Sequence, residues 1–149
     1  YHPIPVKTNS AGEKYSKILN KIFTNEYDFN DYYRATNIYW PGNKLGHGRE
    51  DVAKLWNSLK NILSETKFKI EHVGYLDEPN RNPRASIRWS IEGVHSEDSK
   101  DYGKKTNSSL TIIGINHAEL NSYGVIKEWV LFDEVAIWKQ ILMNKNKDG

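Results

Sequence analysis

The apolar residues of this chain change their spacing near residue 65, from a repeat of three and four to a strict alternation, and this switch constrains the fold most. Before it, Tyr15, Ile18, Leu19, Ile22 and Phe23 predict an amphipathic helix over 12–24. Val52, Leu55, Trp56, Leu59, Ile62 and Leu63 repeat the pattern over about 49–64, with Glu50 and Asp51 in the first turn, where the helix dipole favours acids. Asp28 to Arg34 reads as a short second helix capped by Asp28 or Asn30, and Asn37 to Trp40 as a brief extended piece ended by Pro41-Gly42. After the switch, Lys67 to Asp77 alternates through Phe68, Ile70 and His72, with Gly74 at a bulge or bend. Arg84 to Gly93 sets Ala85, Ile87, Trp89 and Ile91 on one face and Ser86, Arg88, Ser90 and Glu92 on the other. A polar stretch, His95 to Ser108, reads as a loop or ragged hairpin. Leu110 to Leu120 and Val125 to Ile141 are strand-like runs joined by the hairpin turn Asn121-Ser122-Tyr123-Gly124, and Asn144 to Gly149 reads as a solvated tail.

Helices first and hairpin-linked strands afterwards define an α+β fold: a curved antiparallel sheet packed on N-terminal helices, forming a cone-shaped half-barrel whose mouth takes a small ligand. With no repeats and no linker, residues 1–149 form one domain with its core at about 12–142, preceded by a flexible arm containing Pro3 and Pro5. A chain of 149 residues buries enough surface for a core without staples, and the absence of Cys removes disulfides, thiolate metal sites and thiol nucleophiles. A formal charge of +2, with Lys dispersed, speaks against nucleic acid or an anionic membrane surface, and no apolar run is long enough to span a bilayer. The chain opens on Tyr1, which suggests that the numbering begins inside a longer sequence; Tyr1 to Ser10 reads as an arm and not as a secretory signal, and a cleaved signal upstream of Tyr1 would not be visible. The composition does not fix the compartment; cytoplasm is slightly favoured.

There is no GxGxxG, Walker loop, HExxH or GxSxG, and the five His lie on separate segments without ligand spacing, so no metal is expected. The informative positions are polar residues inside apolar strands. Asp133 lies within Trp129–Trp138, where it faces water at a bulge, pairs structurally, or sits in a cavity that raises its pKa into the range of a general base. His117 is flanked by apolar neighbours, and an even hairpin register puts it on one face with Trp129, Leu131 and Asp133, whereas a slip of one residue separates them. Arg88 is either a solvated charge or a clamp for a carboxylate or oxyanion. His95 and His72 are candidates for a cavity rim. Tyr32, Trp40, Trp56, Trp89 and Trp129 wall a pocket or build core.

Trp40-Pro41-Gly42, Gly46-His47-Gly48-Arg49-Glu50-Asp51-Val52, Arg88-Trp89-Ser90-Ile91-Glu92-Gly93-Val94-His95, and Gly124-Val125-Ile126-Lys127-Glu128-Trp129 with Asp133 and Gln140 resemble, in order and spacing, the SnoaL-like polyketide cyclases of the nuclear transport factor 2-like superfamily. The resemblance covers roughly 12–142. It implies a cone that dimerises through the sheet and binds a small apolar carbonyl compound in a deep pocket, with acid/base chemistry needing no cofactor. It places Asp133 as the base and His117 in the same pocket; the reading of the residues adds Arg88, with His117, as a group orienting substrate. Ketosteroid isomerase, a superfamily member, uses an Asp base in the same spirit. A non-catalytic ligand-binding or dimeric accessory domain is the alternative, and an epoxide hydrolase-like site, which needs Glu92 or Glu119 against Arg88, is a further one. The stretch Ser96–Lys105 replaces the family's Pro-Thr-Gly link with polar residues, a change placed to reshape the pocket mouth or a dimer contact.

Overall fold

The computed structural model of the chain describes residues 10–24 and 26–148, with side chains through residue 145; the expected N-terminal arm, Ser10 apart, lies outside the described residues. The elements in chain order are α1 (Ser10–Thr24), β1 (Tyr32–Trp40), β2 (Lys44–His47), α2 (Gly48–Lys60), β3 (Leu63–Leu76), β4 (Arg84–His95), β5 (Ser109–Asn121), β6 (Gly124–Phe132) and α3 (Glu134–Asp148). The strands form one curved, unclosed sheet in the order β2-β1-β6-β5-β4-β3. The fold class is α+β as expected, but the sheet is mixed: β1 runs parallel to β6, with Tyr39 beside Trp129, while the other neighbours are antiparallel.

Alternation decides what each strand buries. On β4, Ala85, Ile87, Trp89 and Ile91 are buried, and on β5 so are Leu110, Ile112, Asn116, Ala118 and Leu120. These inward residues meet Tyr15, Ile18, Leu19, Ile22 and Phe23 of α1 and Val52, Trp56 and Leu59 of α2. Aromatic rings fill the middle of the concave face. Phe23 stacks on Phe68 with centroids 4.5 Å apart, and Trp40 meets the Trp56 edge at 4.9 Å and Phe132 at 5.4 Å. The Trp89 indole lies over Gly114, where an added Cβ would come within 2.2 Å of the ring, so glycine is what lets the indole reach the sheet. At the β5–β6 hairpin Gly124 has φ +108, and its Cα faces the Asp31 carbonyl that its neighbour Val125 N–H bonds at 3.0 Å.

Several elements differ from expectation: β2 was not foreseen, and α2 ends at Lys60, so that Leu63, expected on its apolar stripe, opens β3. Instead of a helix over 28–34, the Asp28 carboxylate accepts from Asn30 N (3.1 Å) and Asn30 Nδ2 (2.6 Å), an Asx turn with Phe29 at φ 60, and β1 begins at Tyr32. The strand-like run 125–141 breaks at Asp133, and α3 occupies 134–148, including most of the expected tail. Ile137 and Ile141, one helical turn apart, are its buried residues. Gln140 completes the arrangement by pairing its side-chain amide with both backbone groups of Thr111 at 2.8 Å, beyond the point where β6 ends opposite Gly114. It thereby closes an open stretch of strand edge.

Candidate functional site

The β5–β6 register is even: His117 lies opposite Trp129 and Ile115 opposite Leu131. The face these residues share is the outer one, turned away from α1 and α2, and all four are exposed. Arg88, next to Ile115 on β4, is also exposed and forms no ion pair among the described residues, so neither Glu92 nor Glu119 engages it. Asp133 lies past the end of β6. Its Oδ1 accepts the Ala136 N–H at 3.0 Å, making it the exposed N-cap of α3 and not a carboxylate enclosed within a strand. Tyr32, Trp40, Trp56, Trp89 and His95 are buried on the concave side, whereas Trp129 stacks outside on Tyr39 at 5.6 Å. Among the candidates from the sequence, then, His117, Arg88 and Trp129 share the outer surface, Tyr32, Trp40, Trp56, Trp89 and His95 share the concave one, and Asp133 caps α3 past the end of β6.

The polar centre of the concave face is Glu128, whose side chain is 0% exposed. Its Oε2 accepts hydrogen bonds from the hydroxyls of Tyr15 (2.5 Å) and Tyr32 (2.7 Å), and its Oε1 from Trp56 Nε1 (3.1 Å). The Tyr15 oxygen accepts from Asn116 Nδ2 at 2.9 Å, and Asn116 Oδ1 accepts from Trp89 Nε1 at 2.9 Å. The chain of contacts links α1, β1, α2, β4, β5 and β6. Burial pushes Glu128 up to about 6 against the pull of its three hydrogen bonds, and burial beside this carboxylate pushes both phenols well above their ordinary range. The signal for Glu128 was parity: in Glu128-Trp129-Val130-Leu131-Phe132 the acid falls in step with the buried Val130 and Phe132.

No water-sized space touches Glu128, Tyr15, Tyr32, Trp56, Trp89 or Asn116, each of which is fully buried. At these residues the concave face presents a packed polar core, without the open space of the expected deep pocket. His95 is also buried: its Nδ1 lies 3.3 Å from Thr106 Oγ1, its Nε2 has no partner among the described residues, and burial holds its pKa below the ordinary value. Open space is found instead on the outer face, as a groove of about 970 Å³ lined by Tyr39, Leu45, Ile115, His117, Trp129 and Leu131, with Lys44, Arg84 and Glu119 at its margins. Among the described residues no three metal-ligating side chains cluster, and no helix is long and apolar enough to cross a membrane.

Comparison with solved structures places this architecture in the SnoaL-like, nuclear transport factor 2-like fold. A proposed SnoaL-like polyketide cyclase from Jannaschia sp. CCS1 superposes with a TM-score of 0.71 over 93% of this chain and 97% of its own, at 12% identity. IdmH, a proposed polyketide cyclase from Streptomyces antibioticus, gives 0.70 over 89% and 98%, at 11% identity. An epoxide hydrolase of the LEH-like kind from M. tuberculosis gives 0.65 over 93% of each chain, at 14% identity. No family model and no curated protein matches the sequence.

Proposed function

We propose that this chain is an assembly domain built on the SnoaL-like fold, its working surface being the outer face of the sheet, where a second copy packs. The observation that carries this reading is the outer apolar surface. Ile113 and Leu131 are 62% and 66% exposed, and Tyr39, Ile115 and Trp129 lie beside them in the strand register. Monomers rarely leave so continuous an apolar face in water. Its margin carries both signs of charge, with Arg88 on β4 and the cross-strand pair Glu119 and Lys127, a pattern that matches itself across a twofold axis. Sedimentation equilibrium is expected to give a dimer for the wild type and a monomer for the Ile113→Lys, Leu131→Lys double variant. A wild-type monomer at micromolar concentration overturns the reading.

Glu128 supports a second reading, acid/base chemistry on a small apolar carbonyl compound. A buried carboxyl group at about 6 has the proton affinity to take a C–H proton next to a carbonyl and return it to the resulting enolate. A substrate reaches it only if the side chains packed on Glu128, among them Tyr15, Tyr32 and Trp56, move aside. Cyclase and epoxide hydrolase activities belong to the compared proteins and bear on this chain only through the shared fold. Deuterium uptake by a panel of enolisable apolar ketones tests the reading. Loss of exchange in Glu128→Gln puts the base at Glu128, and loss in Asp133→Asn puts it at Asp133, with His117 and Arg88 as orienting groups. No exchange in the wild type leaves the assembly reading alone.

A further inference from the structure

We propose that Glu128 is a proton-binding switch built into the fold, which sets how firmly α1 and α2 are held on the concave face of the sheet and β1 is held beside β6. The geometry carries this. One carboxyl group collects a donor from each of these three elements: Tyr15 from α1, Tyr32 from β1 and Trp56 from α2. A fourth contact, Asn116 of β5, reaches it through the Tyr15 oxygen and is itself held by Trp89 of β4. Among the described residues, the groups that bond the carboxyl are uncharged at neutral pH, and no Lys, Arg or His is one of them. An ionised Glu128 is thus a buried anion without a counter-ion, stabilised by three hydrogen bonds and destabilised by desolvation. A proton relieves the desolvation while the phenol oxygens still offer acceptors, so the folded domain binds a proton more tightly than the unfolded chain.

The sign follows from linkage. An acid whose pKa is raised on folding, here to about 6 from 4.5, stabilises the fold fully below the lower value, and this contribution is lost as pH rises through the higher one. Two other groups act in the opposite sense. Asp31 is held below its ordinary value by the Tyr27 hydroxyl and Lys21, and its contribution disappears only in stronger acid. His95, lowered by burial, contributes above its ordinary value and loses that contribution as pH falls. Both are present in wild type and in Glu128→Gln, so the difference between the two proteins isolates Glu128. This switch is independent of the assembly reading, because Glu128 faces inward.

The experiment is urea unfolding of the wild type and Glu128→Gln at a series of values from about pH 5 to pH 8. The folding constant of the wild type, relative to the variant, is expected to rise about 8-fold from the alkaline to the acid end. Parallel profiles overturn the proposal. Should the variant fail to fold, ¹³C titration of the Glu128 carboxyl in the wild type decides: a midpoint near 6 supports the switch, and one in the ordinary carboxylate range overturns it.

Discussion

Glu128 and Asp133 belong to one apolar run and meet opposite fates, because a strand ends between them. Glu128 is carried inward by the pleat and surrounded by donors, while Asp133 is released to cap a helix in water. Replacing Glu128 by Leu leaves two phenols and an indole N–H without their acceptor, and is expected to cost on the order of 3 kcal/mol or more in urea unfolding. Asp133→Ala removes one cap and is expected to cost about 1 kcal/mol, read by the same measurement. Gly114→Ala drives a methyl group into the Trp89 indole and is expected to cost about 1–3 kcal/mol, with a change in Trp fluorescence as the ring shifts.

At the scale of the element, α3 is the instructive case. Its apolar residues Val135, Ile137 and Trp138 follow a strand of strongly alternating pattern, and over so short a window the helical period is masked by the residues before it. Asp133-Glu134 ahead of Ile137 and Ile141 carries the start signal of a helix, which a capped reading of the run detects. The long periodic elements α1, α2, β4 and β5 were legible because twelve to fifteen residues repeat one pattern, and so was the inward set Ala85, Ile87, Trp89 and Ile91. The site was less legible. Which face of β6 turns inward depends on packing against α1 and α2, and the partners of Glu128 come from segments far away in sequence, which no local pattern encodes. Gln140→Ala removes the two bonds that close the edge of β5. Amide exchange at Thr111 is expected to accelerate while the β4–β5 ladder stays protected.

For the whole molecule, the division of labour between the two sheet faces is the main result. The concave face spends its aromatic residues on filling the cone, and the outer face leaves Ile113, Ile115, Trp129 and Leu131 in solvent. The parallel pairing of β1 with β6 has a kinetic consequence. Among the described strands, the β1–β2 hairpin joins the rest of the sheet through β6, which follows it only after β3, β4 and β5. A chain emerging from the ribosome must hold that hairpin without its β6 partner until β3, β4, β5 and then β6 have been synthesised. Such distant closure slows folding, in the range of milliseconds to seconds for chains of comparable topology. During that interval the nascent domain depends on α2, which follows the hairpin directly, to shield it from neighbouring chains.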